Sequence, residues 1–448
     1  MSAARLTATR DDRKGDQRLL FGAILGIFVL KLAFALSVLP HFTGDLKFLY
    51  SVGSVDNYYS IAQNLDNGTG YRFDPGTSLT LMREPGYPYF LAALRGTFDH
   101  YLQVVIAANI LFTSICALLI FNLASQITAS RWAPLIAPFL FMLHPAVVLA
   151  EVRYGVEIPF TLLLLAFLLL LRKALIADAT REYIKAGIAL GVVSCVRSTA
   201  LLFPLFLIFY GFLFSGGWKA LLPSLSRITL ILACAFLVLS PWIVRNYLLV
   251  GKFIATASVG GVAMQAGYYM CTHEGTDKQF YQLDLDAAAV RNQLATQQGY
   301  RFKPNYFQFF YDPKDEVKFN DSLASQVVGE YERSPTTFMK CASENLFNFW
   351  FRGKTTAVTL VNMCIQLPYM ILAFAGIVLG FRRMERPAWG LFVLFILYTM
   401  AVYVPIHAQA RYSTPLVPIL AIFAAIALER LFTRRFSLAA HALQPAQA

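Results

Sequence analysis

Residues 19–40 read LLFGAILGIFVLKLAFALSVLP, a run in which Lys31 is the one charged side chain. A helix rises about 1.5 Å per residue, so a run of this length crosses the ~30 Å hydrocarbon core of a bilayer. Inside that core every backbone amide must find its partner within the segment, which a helix provides and a lone strand does not. Repetition of the pattern decides the fold. Comparable runs recur at 102–124, 132–149, 158–172, 183–197, 199–215, 228–249, 356–381, 388–405 and 412–432. The expectation is an all-α polytopic membrane protein with about ten transmembrane helices. The fourth to sixth runs are the least regular, because two are short and Arg197 interrupts an otherwise long apolar stretch.

Working outward, the 448-residue chain is 57% hydrophobic and 14% charged, against roughly 25% charge in a soluble protein. A soluble enzyme, a disordered chain and a nucleic-acid binder are excluded. The formal charge of +12 is distributed as topology requires. With the N-terminus in the cytoplasm, the basic clusters Arg10–Lys14, Arg172–Lys185, Arg382–Arg386 and Arg430–Arg435 all fall on the inner side, where cations collect. They would also attract anionic lipid headgroups. The resulting organisation is a cytoplasmic basic tail at 1–18, a membrane domain at 19–432 and a second cytoplasmic tail at 433–448. The first span is read as retained, since no small-residue cleavage pattern follows it.

Two outside loops, at 41–101 and 250–355, hold most of the polar chemistry. In the first, the spacing of Tyr59, Ala62 and Leu65 predicts an interfacial amphipathic helix opening at Asp56 and closed by Gly68. Asp56 at that lip is either a cap or an ionised carboxylate able to accept a hydroxyl proton. The turn Arg83-Glu-Pro-Gly-Tyr-Pro88 fixes a guanidinium in place, for a lipid headgroup or for a substrate phosphate. Glu151, Arg153, Tyr154 and Glu157 share a short outside loop. If it is helical, Arg153 and Glu157 pair; otherwise Glu157, at the start of a span, is an ionisable group at membrane depth and a functional candidate. Arg197, Arg245 and Arg411 recur at outside ends of spans, on the side that cations normally avoid. Together with Arg83 they suggest an anion site at membrane level, and arginine binds phosphate through a bidentate fork.

Cys271 and Cys341 lie in the second outside loop, where a disulfide closing the loop and two free thiols are both open. No P-loop, Rossmann glycine pattern, HExxH or Cys-x-x-Cys occurs. The sequence fixes no cofactor, and a divalent metal stays open.

Six segments in this order carry a resemblance: Asp56-Asn-Tyr-Tyr59, Gly68-Thr-Gly-Tyr71, Arg83-Glu-Pro-Gly-Tyr-Pro88, Tyr154-Gly-Val-Glu157, Pro241-Trp-Ile-Val-Arg245-Asn246 and Arg411-Tyr412. The chain resembles, over about residues 20–430, the GT-C superfamily of membrane glycosyltransferases. Within it the likeness is to the bacterial family 39 group related to protein O-mannosyltransferases and aminoarabinose transferases. The resemblance implies a polyprenyl-phosphate sugar donor bound between spans and a hexosyl or pentosyl transfer to a glycolipid, polysaccharide or protein acceptor. It implies Asp56 as the acceptor-side carboxylate, and Arg83 at a position that is Lys or Arg in relatives and contacts acceptor or phosphate. The chain departs from some relatives in having no adjacent Asp-Glu pair in the first loop and in its compact C-terminus.

On this reading Asp56 and Glu157 are the catalytic candidates, and Arg83, Arg245 and Arg411 bind phosphate. Tyr59, Tyr87, Tyr154 and Tyr412 join them on substrate. One displacement would invert the sugar. The site faces the periplasm of a bacterial inner membrane. A transporter or flippase for a lipid-linked or anionic substrate is the rival. It would place its polar groups near the midplane on interrupted helices in two matching halves, whereas here they cluster outside.

Overall fold

The computed structural model describes residues 10–38, 56–214, 217–273 and 279–442. Of the expected regions, 1–9 and 443–448 in the tails, 41–55 in the first outside loop and 274–278 in the second lie outside the described residues.

Helix α1 (Arg10–Ala33) runs on through a π-helical turn, Phe34–Val38. The first outside loop folds into α2 (Tyr58–Asp66) and α3 (Gly86–Thr97). Next come α4 (Tyr101–Ile127), the bent pair α5 (Ala133–Met142) and α6 (Pro145–Glu151), and the hairpin α7 (Glu157–Ala177) and α8 (Thr180–Val196). Two 3-10 turns lead into α9 (Leu207–Phe214), followed by α10 (Leu221–Val250). The second outside loop is α11 (Gly260–Thr272), α12 (Phe280–Gln297), the short antiparallel pair β1 (Phe302–Lys303) and β2 (Phe309–Phe310), α13 (Pro313–Arg333) and α14 (Pro335–Phe351). The chain closes with α15 (Thr356–Arg383), α16 (Arg386–Tyr403), a 3-10 segment at Ala410–Leu416 and α17 (Val417–Ala442).

The structure is a polytopic helical membrane fold, in which the count of ten spans is not confirmed. Among the described residues, 7 helices are long and apolar enough to cross a membrane, or 8 with the bent pair. The difference lies in the irregular region. Arg197 leaves the helix in an extended conformation (φ −154°, ψ 122°) and ends α8 after 17 residues. Beyond it Pro204 falls within a 3-10 turn, so Ser198–Phe214 is a short, broken segment.

The bend of 52° between α5 and α6 has a hydrogen-bond cause. Met142 O would normally accept from the Ala146 amide four residues on. With Pro145 interrupting the ladder, the Ala146 amide donates instead to His144 Nδ1 at 3.3 Å. Lys31 from α1 takes the released carbonyl at 2.6 Å and pairs with Glu151 at 2.8 Å. This accounts for the midspan lysine: it satisfies a helix break and a buried carboxylate. Elsewhere, Gly187 lets α8 and α10 touch, since a Cβ there would lie 2.6 Å from Ile231 O.

The two outside loops fold into one roof. Glu316 on α13 accepts from Thr80 Oγ1 at 2.8 Å and from the Leu81 amide at 2.7 Å. Asn320 Oδ1 accepts from the Gly261 and Val262 amides. A buried aromatic cluster that includes Tyr71, Phe73, Trp242, Phe307, Phe310 and Phe319 fills the space between the loops. A disulfide between Cys271 and Cys341 ties α11 to α14, with Cα atoms 5.4 Å apart.

Candidate active site

Helix α2 begins at Tyr58, two residues later than the spacing suggested, because Asn57 takes the left-handed conformation (φ 55°) at its N-cap. Asn tolerates that region better than most residues. Asp56 therefore does not cap the helix. Its carboxylate turns toward two guanidiniums: Arg411 Nη1 donates to Oδ2 at 2.6 Å, and Arg83 Nη2 to Oδ1 at 3.3 Å. Arg83 Nε also donates to the Asp56 carbonyl at 2.9 Å, so backbone and side chain are gripped together. Burial pushes the Asp56 carboxyl up, but Arg411 and Arg83 outweigh it and hold the group at about 2. Asp56 is ionised at any physiological pH.

Glu157 is the first residue of α7 and is buried. Arg153 does not pair with it through a helix, since 152–156 is irregular. The cation in reach is Arg411, whose Nη1 lies 3.8 Å from Glu157 Oε1. One guanidinium thus stands between the two carboxylates that the sequence singled out.

Asp56, Glu157, Tyr154 and Arg411 line a cavity of about 210 Å³. Arg153, Arg352 and Lys354 line it too. Burial first, and then repulsion from Arg153 and Arg411, lowers the Lys354 ammonium below its usual value. Four cations thus crowd one space, and no ion pair of Arg153 or Lys354 with a carboxylate occurs among the described residues. Such a cluster of cations on one wall suits an anion. The cavity continues between α6 and α15 along Pro145, Leu149, Val358 and Ile365, reaching Gln366. Gln366 lies ten residues beyond the start of α15, about 15 Å along it. The upper end is charged and the lower wall largely apolar.

The other candidates sit elsewhere. Tyr87 is buried edge-on against Tyr58 and is not on the cavity wall. Tyr59 accepts from Arg95 Nη1 and stacks on Tyr101 at the surface of the first loop. Tyr412 stacks on Tyr403 at 4.7 Å, with the Arg197 guanidinium 4.8 Å from its ring. Arg245 lies over Trp242 at 4.4 Å and donates to Thr80 O at 3.0 Å. It belongs to the roof seam beside Glu316, away from Asp56. Conversely, the sequence reading did not single out Asp284, Tyr281, Trp350, Arg352 or Lys354, all on the cavity wall. Lys354 carried a signal, standing just before the apolar run of α15.

Among the described residues, no group of three or more His, Cys, Asp and Glu is placed to hold a metal ion.

A family model described as dolichyl-phosphate-mannose-protein mannosyltransferase matches residues 83–244, a segment that includes Arg83, Arg153, Glu157 and Arg197. A comparison with curated proteins finds no match. Among solved structures, the chain resembles the oligosaccharyltransferase AglB of the archaeon Archaeoglobus fulgidus in complex with an inhibitory peptide and a dolichol-phosphate. The TM-score is 0.54 at 15% identity, over 96% of this chain and 53% of that one. An Archaeoglobus fulgidus oligosaccharyltransferase tethered to an acceptor peptide aligns with a TM-score of 0.53 at 15% identity, over 92% of this chain and 50% of the other. This chain spans about half the length of those proteins. The chain thus shares its fold with these archaeal structures, and its residues 83–244 match the mannosyltransferase family model.

Proposed function

We propose that the chain transfers a sugar from a polyprenyl-phosphate carrier to an acceptor hydroxyl on the outer side of the membrane, with a bacterial inner membrane as its setting. The observation that carries this reading is the single cavity joining three kinds of wall: an ionised carboxylate at Asp56, the cations Arg153 and Lys354, which form no ion pair among the described residues, and an apolar slot between α6 and α15. A lipid chain suits the slot and its phosphate suits the cations.

The acceptor oxygen attacks the anomeric carbon while the bond from that carbon to the phosphate oxygen breaks, its electron pair leaving on the phosphate. The acceptor proton passes to a carboxylate, and the sugar is inverted. Arg153, Lys354 and Arg411 stabilise the charge that grows on the departing phosphate. Held at about 2, Asp56 is a weak base while Arg411 grips it. In this reading, donor phosphate draws Arg411 away and restores the basicity of Asp56, so the base is armed when the donor is seated. Glu157 keeps Arg411 within reach of both positions.

Reconstituted protein supplied with polyprenyl-phosphate sugars, with lipids and envelope glycans followed by mass spectrometry, tests the proposal. A sugar increment that moves from the carrier to an acceptor supports it. Carrier crossing the bilayer with no new glycosidic bond would identify a flippase instead.

A further inference from the structure

Asp284 is a third carboxylate on the cavity wall, and it is differently held from the other two. It lies one turn beyond Phe280 on α12, on the same helix face, and is only 8% exposed. The Tyr306 hydroxyl donates to its Oδ1 at 2.7 Å. Behind Tyr306 stands the fully buried Arg291, whose Nη2 donates to the Tyr306 carbonyl at 3.2 Å and whose Nη1 donates to Gln265 at 2.9 Å. The carboxylate is therefore braced from the rear by neutral and backbone contacts. No cation pairs with it, and Oδ2 has no hydrogen-bond partner among the described residues.

On the same cavity wall are Phe280, Tyr281 and Trp350. A braced carboxylate beside aromatic rings, near Arg291 and Lys354 but in no ion pair among the described residues, is poorly suited to a phosphate, which it repels, and to an alkyl chain, which leaves it unsolvated. It is well suited to a sugar. An ionised carboxylate accepts hydrogen bonds from two hydroxyls at once, and aromatic faces cover the C–H surface of the ring. The neighbouring cation is also in place, since the Lys354 ammonium lies 5.1 Å from the Tyr281 ring. The phosphate and sugar positions are thereby adjacent.

We infer that Asp284 reads the transferred sugar, binding hydroxyls of a neutral, carrier-linked sugar against Phe280, Tyr281 and Trp350 and disfavouring sugars that carry a carboxylate. This deepens the proposed function and rests on it.

The test measures binding by the full chain in lipid nanodiscs. The probes are polyprenyl phosphate alone, its mannose, glucose and galactose conjugates, and its glucuronic acid conjugate. At least one neutral sugar should tighten binding over the bare lipid by roughly tenfold or more, and the glucuronate should not. Asp284→Asn should erase that gain while binding bare polyprenyl phosphate as the parent does, which also verifies that the variant is folded. Tyr306→Phe, which loosens Asp284 but keeps its charge, should reduce the gain by about two- to fivefold. A gain unchanged in Asp284→Asn, no gain with any neutral sugar, or tighter binding of the glucuronate overturns the inference. Bare polyprenyl phosphate failing to bind at all refutes the carrier reading, and the inference falls with it.

Discussion

Arg411 Nη1 lies 2.6 Å from Asp56 Oδ2 and 3.8 Å from Glu157 Oε1, so one guanidinium from the 3-10 segment before α17 couples carboxylates from the first outside loop and from α7. The three residues come from widely separated parts of the chain. Their meeting defines the centre from which the following expectations are drawn.

Asp56→Asn keeps the shape of the side chain and removes the proton acceptor. Sugar transfer should fall by about a hundredfold or more, the usual contribution of a positioned base. Arg83 and Arg411 then face a neutral amide, so thermal stability should fall as well. Activity at the parental level in Asp56→Asn protein that retains the Cys271–Cys341 bridge would remove Asp56 from the chemistry.

Lys354 and Arg153 are assigned to the phosphate rather than to the acceptor. Lys354→Ala should weaken binding of polyprenyl phosphate by about tenfold or more, since a charge-assisted hydrogen bond contributes roughly 1.5–3 kcal/mol. Affinity for the acceptor should not change. Direct binding of the bare lipid phosphate checks this, and equal affinity in parent and variant would contradict the assignment.

Arg411 bonds Asp56 at rest and stays within reach of Glu157 and the phosphate when the donor is seated, supplying the positive charge that a divalent cation would bring. Transfer should therefore proceed at an undiminished rate after exhaustive chelation. A loss that Mn²⁺ or Mg²⁺ restores would show that a metal shares the site.

Glu316 supplies the pH dependence of the roof. Burial raises its carboxyl to about 7, despite the Leu81 amide, the Thr80 hydroxyl and Arg245, which act the other way. The folded value lies above the unfolded value of 4.5. The seam is therefore at full strength below about pH 4.5 and weakens as pH rises through about 7. The loss is at most about 3 kcal/mol. Melting temperature should decline between pH 5 and 8 in the parent and stay nearly flat in Glu316→Gln. A parental profile in the glutamine variant would place the titration elsewhere.

Lys31 and Glu151 form a buried pair, with side chains 13% and 2% exposed. Lys31→Met should cost about 3–5 kcal/mol, because it strands both the carboxylate and the Met142 carbonyl. Adding Glu151→Gln should recover much of that loss. Unfolding in detergent separates the two, and equal stability of the single and double variants would argue against the pair.

The helical membrane architecture was legible because apolar runs of spanning length admit one reading; Asp56, Arg83 and Arg411 stood out because charge at membrane depth is costly, and the fold brings the three side chains together. The break after residue 196 was not legible. Hydropathy does not register that Arg197 and Pro204 break the helix, so 183–197 and 199–215 read like their neighbours. Arg245 looked equivalent to Arg411 by its place at a span end, but Trp242 and Thr80 draw it into the roof seam. Asp284 and Lys354 were missed because loop residues acquire meaning only when the roof folds over the cavity, and no local periodicity encodes that closure.

The bridge between Cys271 and Cys341, with a sequence separation of 70, encloses Phe280, Tyr281 and Asp284. In the chain-entropy view, closing a segment of that size removes about 4 kcal/mol of disorder from the unfolded ensemble. The bridge therefore fixes α11 to α14 at the two ends of the segment that carries Phe280, Tyr281 and Asp284, and the cavity wall they form inherits the restraint.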